Sequence, residues 1–523
     1  MSPSKIKRLI VDTPQGPAGA LDKDSRFVFN YSLANGDRQR EIALRMPIRA
    51  ESYASTALLP IFAMNRPEGF LYNEIVRRMA KHVHVDDMLL LSIVGENQIG
   101  RLTYRVPEAA KPAKNATVGK RQLLRGGGQE LFDFLVETYF DSGISGVQPK
   151  VMVPDADKKQ AETVKDEART IVHNDLVVKH SGDSFPFLTH NEFLCMDAAR
   201  RAGLDVPTFD LSEDGDFFVL DRFDLRGDER LGVEDFAVLL ERSYDPHGNY
   251  KYRGAYEDIA KAIKVFCREG ESLASGQRFF EYLALSVLVR NGDAHLKNFS
   301  LIYDTPVGES PRLSPVYDVV TTTVYDYVSH STGAIKTDRT MALSFAKSKM
   351  FPTREQMLQF GTQMCAVRDP ARVIERISDA MTEALSANAQ RIDAGLLEKM
   401  RNEWDEGRTS LLPPRVFMAR SKVEEGGSRG LAENGDAVLR LKVIAESARK
   451  VHALDATPNS ARNTRYYAKL AGVAAFAAGR YEAARYLDPA KSDMEVFTAW
   501  EKANRRALTS EGVALMRRGG RGD

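Results

Sequence analysis

Between residues 1 and 115, short apolar runs of β character at Phe27 to Tyr31 and Met88 to Val94 flank a stretch, Tyr72 to His82, whose apolar positions recur at helical spacing. Leu59-Pro60, Arg66-Pro67-Glu68-Gly69 and the segment Pro107 to Lys114 read as turns and a linker, which predicts a small α+β domain. The pattern changes between 116 and 225. Strands are expected at Val147 to Val153, Ile171 to His180 and Phe217 to Arg222, with the charged segment Asp155 to Thr170 as an exposed excursion between the first two. A helix should run from Asn191 to Ala202, with Phe193, Leu194, Met196 and Ala199 on its apolar face and Gly203 closing it. From 226 to 412 the period is that of helices: Val233 to Arg242, Ala255 to Glu269, Arg278 to Arg290, Arg354 to Ala366 and Asp369 to Met400, interrupted between 291 and 345 by a polar loop and short strands. Pro413-Pro414 and a Gly-rich stretch then separate residues 413 to 523, where apolar stripes such as Val438, Leu441, Tyr467 and Leu470 predict a helical extension.

The polar loop carries the most specific chemistry. It reads Asn-Gly-Asp-Ala-His-Leu-Lys-Asn from Asn291 to Asn298. Asp293 is placed to orient and deprotonate a hydroxyl, and Asn298, five residues on, to hold Mg²⁺ beside it, the division of labour between Asp and Asn in phosphotransferase loops. A second metal ligand should follow within a few tens of residues; Asp318, at the edge of a β-type run, supplies it, and oxygen ligands suit that ion. Lys297 is close enough in sequence to stabilise charge on a transferred phosphoryl. His295 is expected to brace the loop by hydrogen bonds, with a His base oriented by Asp293 as the lesser alternative. Upstream, Gly143 and Gly146 free backbone amides for phosphate oxygens, and Lys150 adds a charge at the loop's end. Lys179, flanked by Leu176, Val177 and Val178, is a buried charge that needs an anion. Glu192 either pairs with it or is favourable at a helix start through the dipole alone. The Asp221 to Phe223 backbone is placed to hydrogen-bond adenine with Phe223 packed near it, while Arg222 and Asp224 read as a surface ion pair.

The length implies several domains. With 73 basic and 72 acidic residues the net charge is +1, so no global field selects nucleic acid or an anionic membrane. Three scattered cysteines exclude a disulfide framework and a zinc site and suggest a reducing compartment. His82 and His84 lack a third ligand at metal-binding spacing and read as surface residues. The amino terminus has no apolar core of signal-peptide length and no run of about 18 apolar residues occurs, so a cytoplasmic protein without membrane contact is expected.

Taken in order along the chain, these segments resemble the HipA family of serine/threonine kinase toxins over about residues 15 to 410. Gly19-Ala20-Leu21, Phe27 to Tyr31 and Arg66-Pro67-Glu68-Gly69 are similar to the family's amino-terminal subdomain. Ser145-Gly146-Val147-Gln148-Pro149-Lys150 resembles its phosphate loop, Leu176 to Lys179 its ATP-lysine strand, and Leu220 to Asp224 its hinge. Asp293 to Asn298, Tyr317-Asp318-Val319 and Met341 to Ser344 complete the set.

The resemblance implies a two-lobed protein-kinase-like α+β fold: an amino-terminal α+β subdomain (1–115), a kinase N-lobe (116–225), a helical C-lobe (226–412) and a helical extension (413–523) with no family-based role. It implies ATP and Mg²⁺, with Asp293, Lys297 and His295 catalytic. Ser145, Gly146, Val147, Gln148, Lys150, Lys179, Asp221, Phe223, His295, Asn298 and Asp318 would meet the nucleotide, and Asn298 and Asp318 the metal. It further implies a translation-factor substrate such as an aminoacyl-tRNA synthetase and a helix-turn-helix antitoxin of the HipB type, through which operator DNA is reached only indirectly. Some relatives carry a regulatory serine where this chain has Gly143, which leaves Ser142 and Ser145 as candidates for self-phosphorylation. Two other classes of function are weighed beside this one: a catalytically silent kinase-like binding protein acting as corepressor or antitoxin partner, and a lipid or small-molecule kinase. The intact Lys179, Asp293, Asn298 and Asp318 argue against the first, and the lack of a basic amphipathic helix against the second.

Overall fold

A computed structural model describes residues 6–32, 36–80, 83–107, 118–141, 144, 148–158, 175–182, 184–227, 229–245, 248–328 and 334–413. The expected extension beyond 413, the Asp155 to Thr170 excursion from 159 on, and Ser142, Ser145, Gly146 and Val147 lie outside the described residues.

The amino-terminal part is a five-stranded antiparallel sheet. In order across it the strands are Tyr53–Ser55, Phe27–Tyr31, Gly16–Lys23, Arg8–Thr13 and Thr103–Arg105. Strand alternation sends Phe27, Phe29 and Tyr31 to one face, where they meet Leu9, Val11, Leu21, Phe62, Leu91 and Tyr104 in a separate core. Met88 to Val94, expected as a strand, is instead the helix Asp87–Val94. Its continuous apolar run suits either element; Asp86 decides, its carboxylate accepting from the Leu89 N–H at 3.0 Å, and Gly95 at φ 53° ends the helix.

The second sheet has four antiparallel strands in the order Lys150–Val153, Leu176–His180, Phe217–Asp221 and Phe209–Leu211. Both faces are covered, so the strands read as unbroken apolar runs. Val151, Val153, Leu176, Val178, Phe217 and Val219 pack against Phe132, Leu135 and Tyr139 of the helix Gly128–Tyr139. Met152, Val177, Phe218 and Leu220 join the core of the helix Leu188–Arg201 and the helical region beyond it. The period of two therefore places Lys150 and Lys179, cross-strand partners, on the side of that second helix.

The helical region is built on Tyr256–Phe266, Glu269–Leu288, Arg354–Gln363, Pro370–Ala387 and Ala394–Leu411. Three expectations are corrected here. Val233 to Arg242 is a strand, Gly232–Asp235, followed by the single turn Phe236–Leu239, which starts where Asp235 accepts from the Val238 N–H at 2.9 Å. Asp369 to Met400 is two helices, because Asn388 leaves helical geometry to donate to Asp197 at 2.7 Å and Asp393 caps the second by accepting from the Leu396 N–H. Arg222 and Asp224, read as a surface pair, are buried at 2% and 0% side-chain exposure. Asp224 accepts from the Gly100 N–H at 2.7 Å and Arg222 donates to the Gln98 carbonyl at 2.9 Å, so the pair joins the strand end at Asp221 to the amino-terminal sheet domain.

Candidate active site

Lys179 reaches inward between the second sheet and the helix Leu188–Arg201, where Glu192 lies one turn in. Its Nζ is 2.6 Å from Glu192 Oε1 and in direct contact with Asp318 Oδ1, while the Lys150 ammonium stands 3.8 Å from Asp318 Oδ2. The open choice at Glu192 is therefore settled by a buried ion pair. Two lysines and two carboxylates balance in charge, which is the condition for holding them out of water. Burial would raise Asp318, but Lys150 and Lys179 hold it far below the usual carboxylate range. Burial lowers Lys150, and the one ion pair it forms among the described residues is shared with Lys179 and 3.8 Å long, so the cluster retains capacity for a further anion. Asp318 is not on a strand: it has φ 54°, a left-handed conformation costly for a residue with a Cβ and typical of positions fixed for function.

The loop Asn291 to Asn298 faces this cluster from the helical side. It is pressed close: a Cβ at Gly292 would meet the Thr340 carbonyl at 2.6 Å and Thr322 Oγ1 at 2.9 Å. Asn291 Oδ1 accepts from the Asp293 N–H at 3.0 Å and Asn298 Oδ1 from the His295 N–H at 2.9 Å, so the loop is braced internally. Asp293 Oδ1 accepts from the Tyr252 hydroxyl at 2.9 Å, and burial raises its pKa against the opposing charge of Lys251. His295 is buried and held neutral by that burial; its Nδ1 has no hydrogen-bond partner among the described residues. It stacks edge-on against Tyr252 at 5.2 Å, a bracing position.

Two site expectations need correction. Lys297 does not point at the cluster: its Nζ lies 3.2 Å from Glu68 Oε1 and 3.3 Å from the Tyr250 hydroxyl. The Asp221 and Arg222 N–H groups already donate to the Thr208 and Asp175 carbonyls at 2.8 and 2.9 Å, so they do not offer themselves to a base, and the Asp221 carboxylate holds Lys120 at 2.6 Å. Phe223 stacks on Tyr317 at 5.4 Å, and the Tyr317 hydroxyl donates to the Lys297 carbonyl at 3.0 Å. Gln148 carries a buried amide nitrogen without a partner among the described residues. Sequence reasoning missed Tyr252, Lys251 and the role of Glu68; an Asn-Tyr-Lys-Tyr turn has no motif, and only its packing on the loop reveals it.

A nucleotide with Mg²⁺ fits these residues. Lys150, Lys179 and the free Gln148 amide suit phosphate oxygens. Among the described residues no three His, Cys, Asp or Glu side chains gather as a complete metal cage; Asn298 and Asp318 would supply a sparse oxygen set of the kind that suits Mg²⁺ when phosphates complete its shell.

Comparison with known proteins identifies the family. The HipA-like C-terminal domain matches residues 142–389 and the HipA N-terminal domain residues 9–105. The chain belongs to the HipA family. Similar proteins include one of Sinorhizobium fredii named "Putative kinase Y4dM", 32% identical over 33% of this chain and 41% of that protein. Another is the serine/threonine-protein kinase toxin HipA of Shewanella oneidensis, 26% identical over 35% and 44%. The chain thus spans under half the length of these two relatives. The fold matches the solved complex of the Shewanella oneidensis MR-1 toxin–antitoxin system HipA, HipB and its operator DNA, with a TM-score of 0.54 and 17% identity, over 77% of this chain and 96% of that one. The HipA-family architecture is therefore kinase-like, and no described helix is long and apolar enough to cross a membrane.

Proposed function

We propose that this HipA-family chain is an ATP- and Mg²⁺-dependent protein serine/threonine kinase and the toxin of a toxin–antitoxin pair. One observation carries the reading: two aspartates of one cleft are prepared for opposite tasks, Asp318 locked ionised by Lys150 and Lys179, Asp293 presented by the neutral Tyr252 hydroxyl with its proton affinity raised. In this reading Lys179, positioned by Glu192, and Lys150 bind the phosphates. Asp293 orients the substrate hydroxyl and accepts its proton. Asn298 and Asp318 would hold Mg²⁺, which neutralises developing charge on the phosphate oxygens. Positioning and charge neutralisation suffice, because the transferred group needs little covalent help.

The similarity to a named kinase toxin and to a chain solved with HipB and operator DNA supports a helix-turn-helix antitoxin partner. An aminoacyl-tRNA synthetase as substrate rests on the family resemblance. Incubation of the full chain with labelled ATP, Mg²⁺ and a bacterial lysate tests the reading: labelled protein bands on serine or threonine are expected, absent with Asp293→Asn. Label confined to lipid or small molecules, or none at all, overturns it.

A further inference from the structure

The loop's own lysine is committed elsewhere. Lys297, with a side chain only 6% exposed, forms a triangle with Glu68 and Tyr250: ammonium to carboxylate 3.2 Å, ammonium to hydroxyl 3.3 Å, and the hydroxyl donating to the same carboxylate at 2.8 Å. Asp235, buried behind it, also feels its charge. Drawing Lys297 out to meet a phosphoryl would leave Glu68 buried without its paired cation, which is strongly unfavourable. Charge at the transferred group has to come from another side chain.

The 3-10 turn Asn249–Tyr252 offers one. Its two tyrosines are pinned on either side, Tyr250 to the Glu68–Lys297 pair and Tyr252 by its hydroxyl to Asp293. Lys251 lies between them, half-buried, its ammonium 5.2 Å from the Tyr252 ring centroid, and it forms no ion pair among the described residues. A lysine held at a carboxylate-lined cleft without a carboxylate of its own is open to an anionic ligand. Its field already reaches the loop: after burial, the largest influence on both Asp293 and His295 is the Lys251 charge.

We propose that Lys251 is a catalytic residue that meets the γ-phosphoryl of ATP beside Asp293, while Lys297 is a structural tie to Glu68. The inference rests on the kinase reading above. In the transfer, the substrate oxygen bonds to the γ-phosphorus as the bond from that phosphorus to the β–γ bridging oxygen breaks. ADP departs with the electron pair, the hydroxyl proton passes to Asp293, and Lys251 stays protonated throughout.

The test compares binding of Mg-ATP and Mg-ADP by the full-length parent and by Lys251→Met and Lys251→Arg, together with labelling rates and thermal unfolding. Lys251→Met is expected to weaken ATP about tenfold and leave ADP nearly unchanged, to slow labelling about 100-fold, and to keep the parental Tm because no ion pair is lost. Lys251→Arg should restore the preference for ATP over ADP. Equal losses for both nucleotides, or an unchanged labelling rate, would overturn the assignment while leaving the kinase reading intact. A parent that binds neither nucleotide overturns the kinase reading, and this one with it.

Discussion

The two sides of the cleft hold their charges by different means. On the sheet side charge meets charge: buried Lys179, Glu192 and Lys150 and the partly exposed Asp318 compensate one another, and Asp318 is driven well below the usual carboxylate range. On the loop side a carboxylate meets a phenol: Asp293 is paired with neutral Tyr252 and is raised, burial first among the causes. Environments that push two like groups apart assign them different work, one as a fixed anion and ligand, the other as an exchangeable proton acceptor. In the proposed kinase the sheet side would serve binding and stability, and the loop side would carry the chemistry.

The sharpest way to break this division is Asp293→Asn, which keeps size and polarity and removes the proton acceptor. Phosphoryl transfer should fall by about 10²- to 10⁴-fold, with Mg-ATP affinity retained. Stability should not fall. A carboxyl whose folded pKa is raised binds its proton more tightly folded than unfolded, so the parent loses stability as pH rises from the usual carboxylate pKa through the raised one. The variant lacks that loss, and denaturant unfolding at pH 4 and pH 7 checks the sign.

Lys179→Met attacks the other side and should do the reverse. Glu192 would be left buried without its paired cation and the partly exposed Asp318 with Lys150 alone, at a cost of about 3–5 kcal/mol of unfolding free energy at neutral pH, and nucleotide binding should be lost. If urea unfolding shows under about 1 kcal/mol of change, the cluster is less dry than its burial indicates. Glu68→Gln is a milder probe. It keeps a hydrogen-bond acceptor for the Tyr250 hydroxyl and removes the countercharge of the buried Lys297, which Asp235 still partly offsets, so about 3 kcal/mol of stability should go, the low end for a broken buried pair. The labelling rate should drop by a smaller factor than with Asp293→Asn, since Glu68 only steadies the turn and the loop.

The two sides also differ in how far the chain announces them. Asp293 and Asn298 stand five residues apart in one loop, and Lys179 sits in an unbroken apolar strand where a charge is conspicuous, so local order is enough to single them out. Lys297 lies in the same loop, yet its direction is set by Glu68 and Tyr250 from two distant parts of the chain, which no local pattern records. The same holds for Arg222 and Asp224, whose burial depends on Gln98 and Gly100 of the amino-terminal sheet domain. Among elements, Phe27–Tyr31 and Phe217–Asp221 were legible from their β-branched and aromatic content. Asp87–Val94 and Gly232–Asp235 were not, because short apolar runs suit either helix or strand until a cap such as Asp86 or a partner strand such as Ser300–Tyr303 decides.

The smallest expected effect isolates the phenol. Tyr252→Phe keeps the ring that packs on His295 and lies under Lys251, and removes only the hydroxyl that donates to Asp293. That donor favours the ionised carboxylate. Without it the Asp293 pKa, already raised by burial, should rise further. Transfer needs ionised Asp293, so activity climbs with pH through this pKa, and the acid limb of the rate profile should move to higher pH by up to about one unit, as expected for one lost hydrogen bond to a charged group. At alkaline pH, where Asp293 is ionised in both proteins, the two rates should converge to within about threefold. A uniform loss at every pH would mean that Tyr252 positions Asp293 and does not tune it; an unmoved profile would mean that another group accepts the proton.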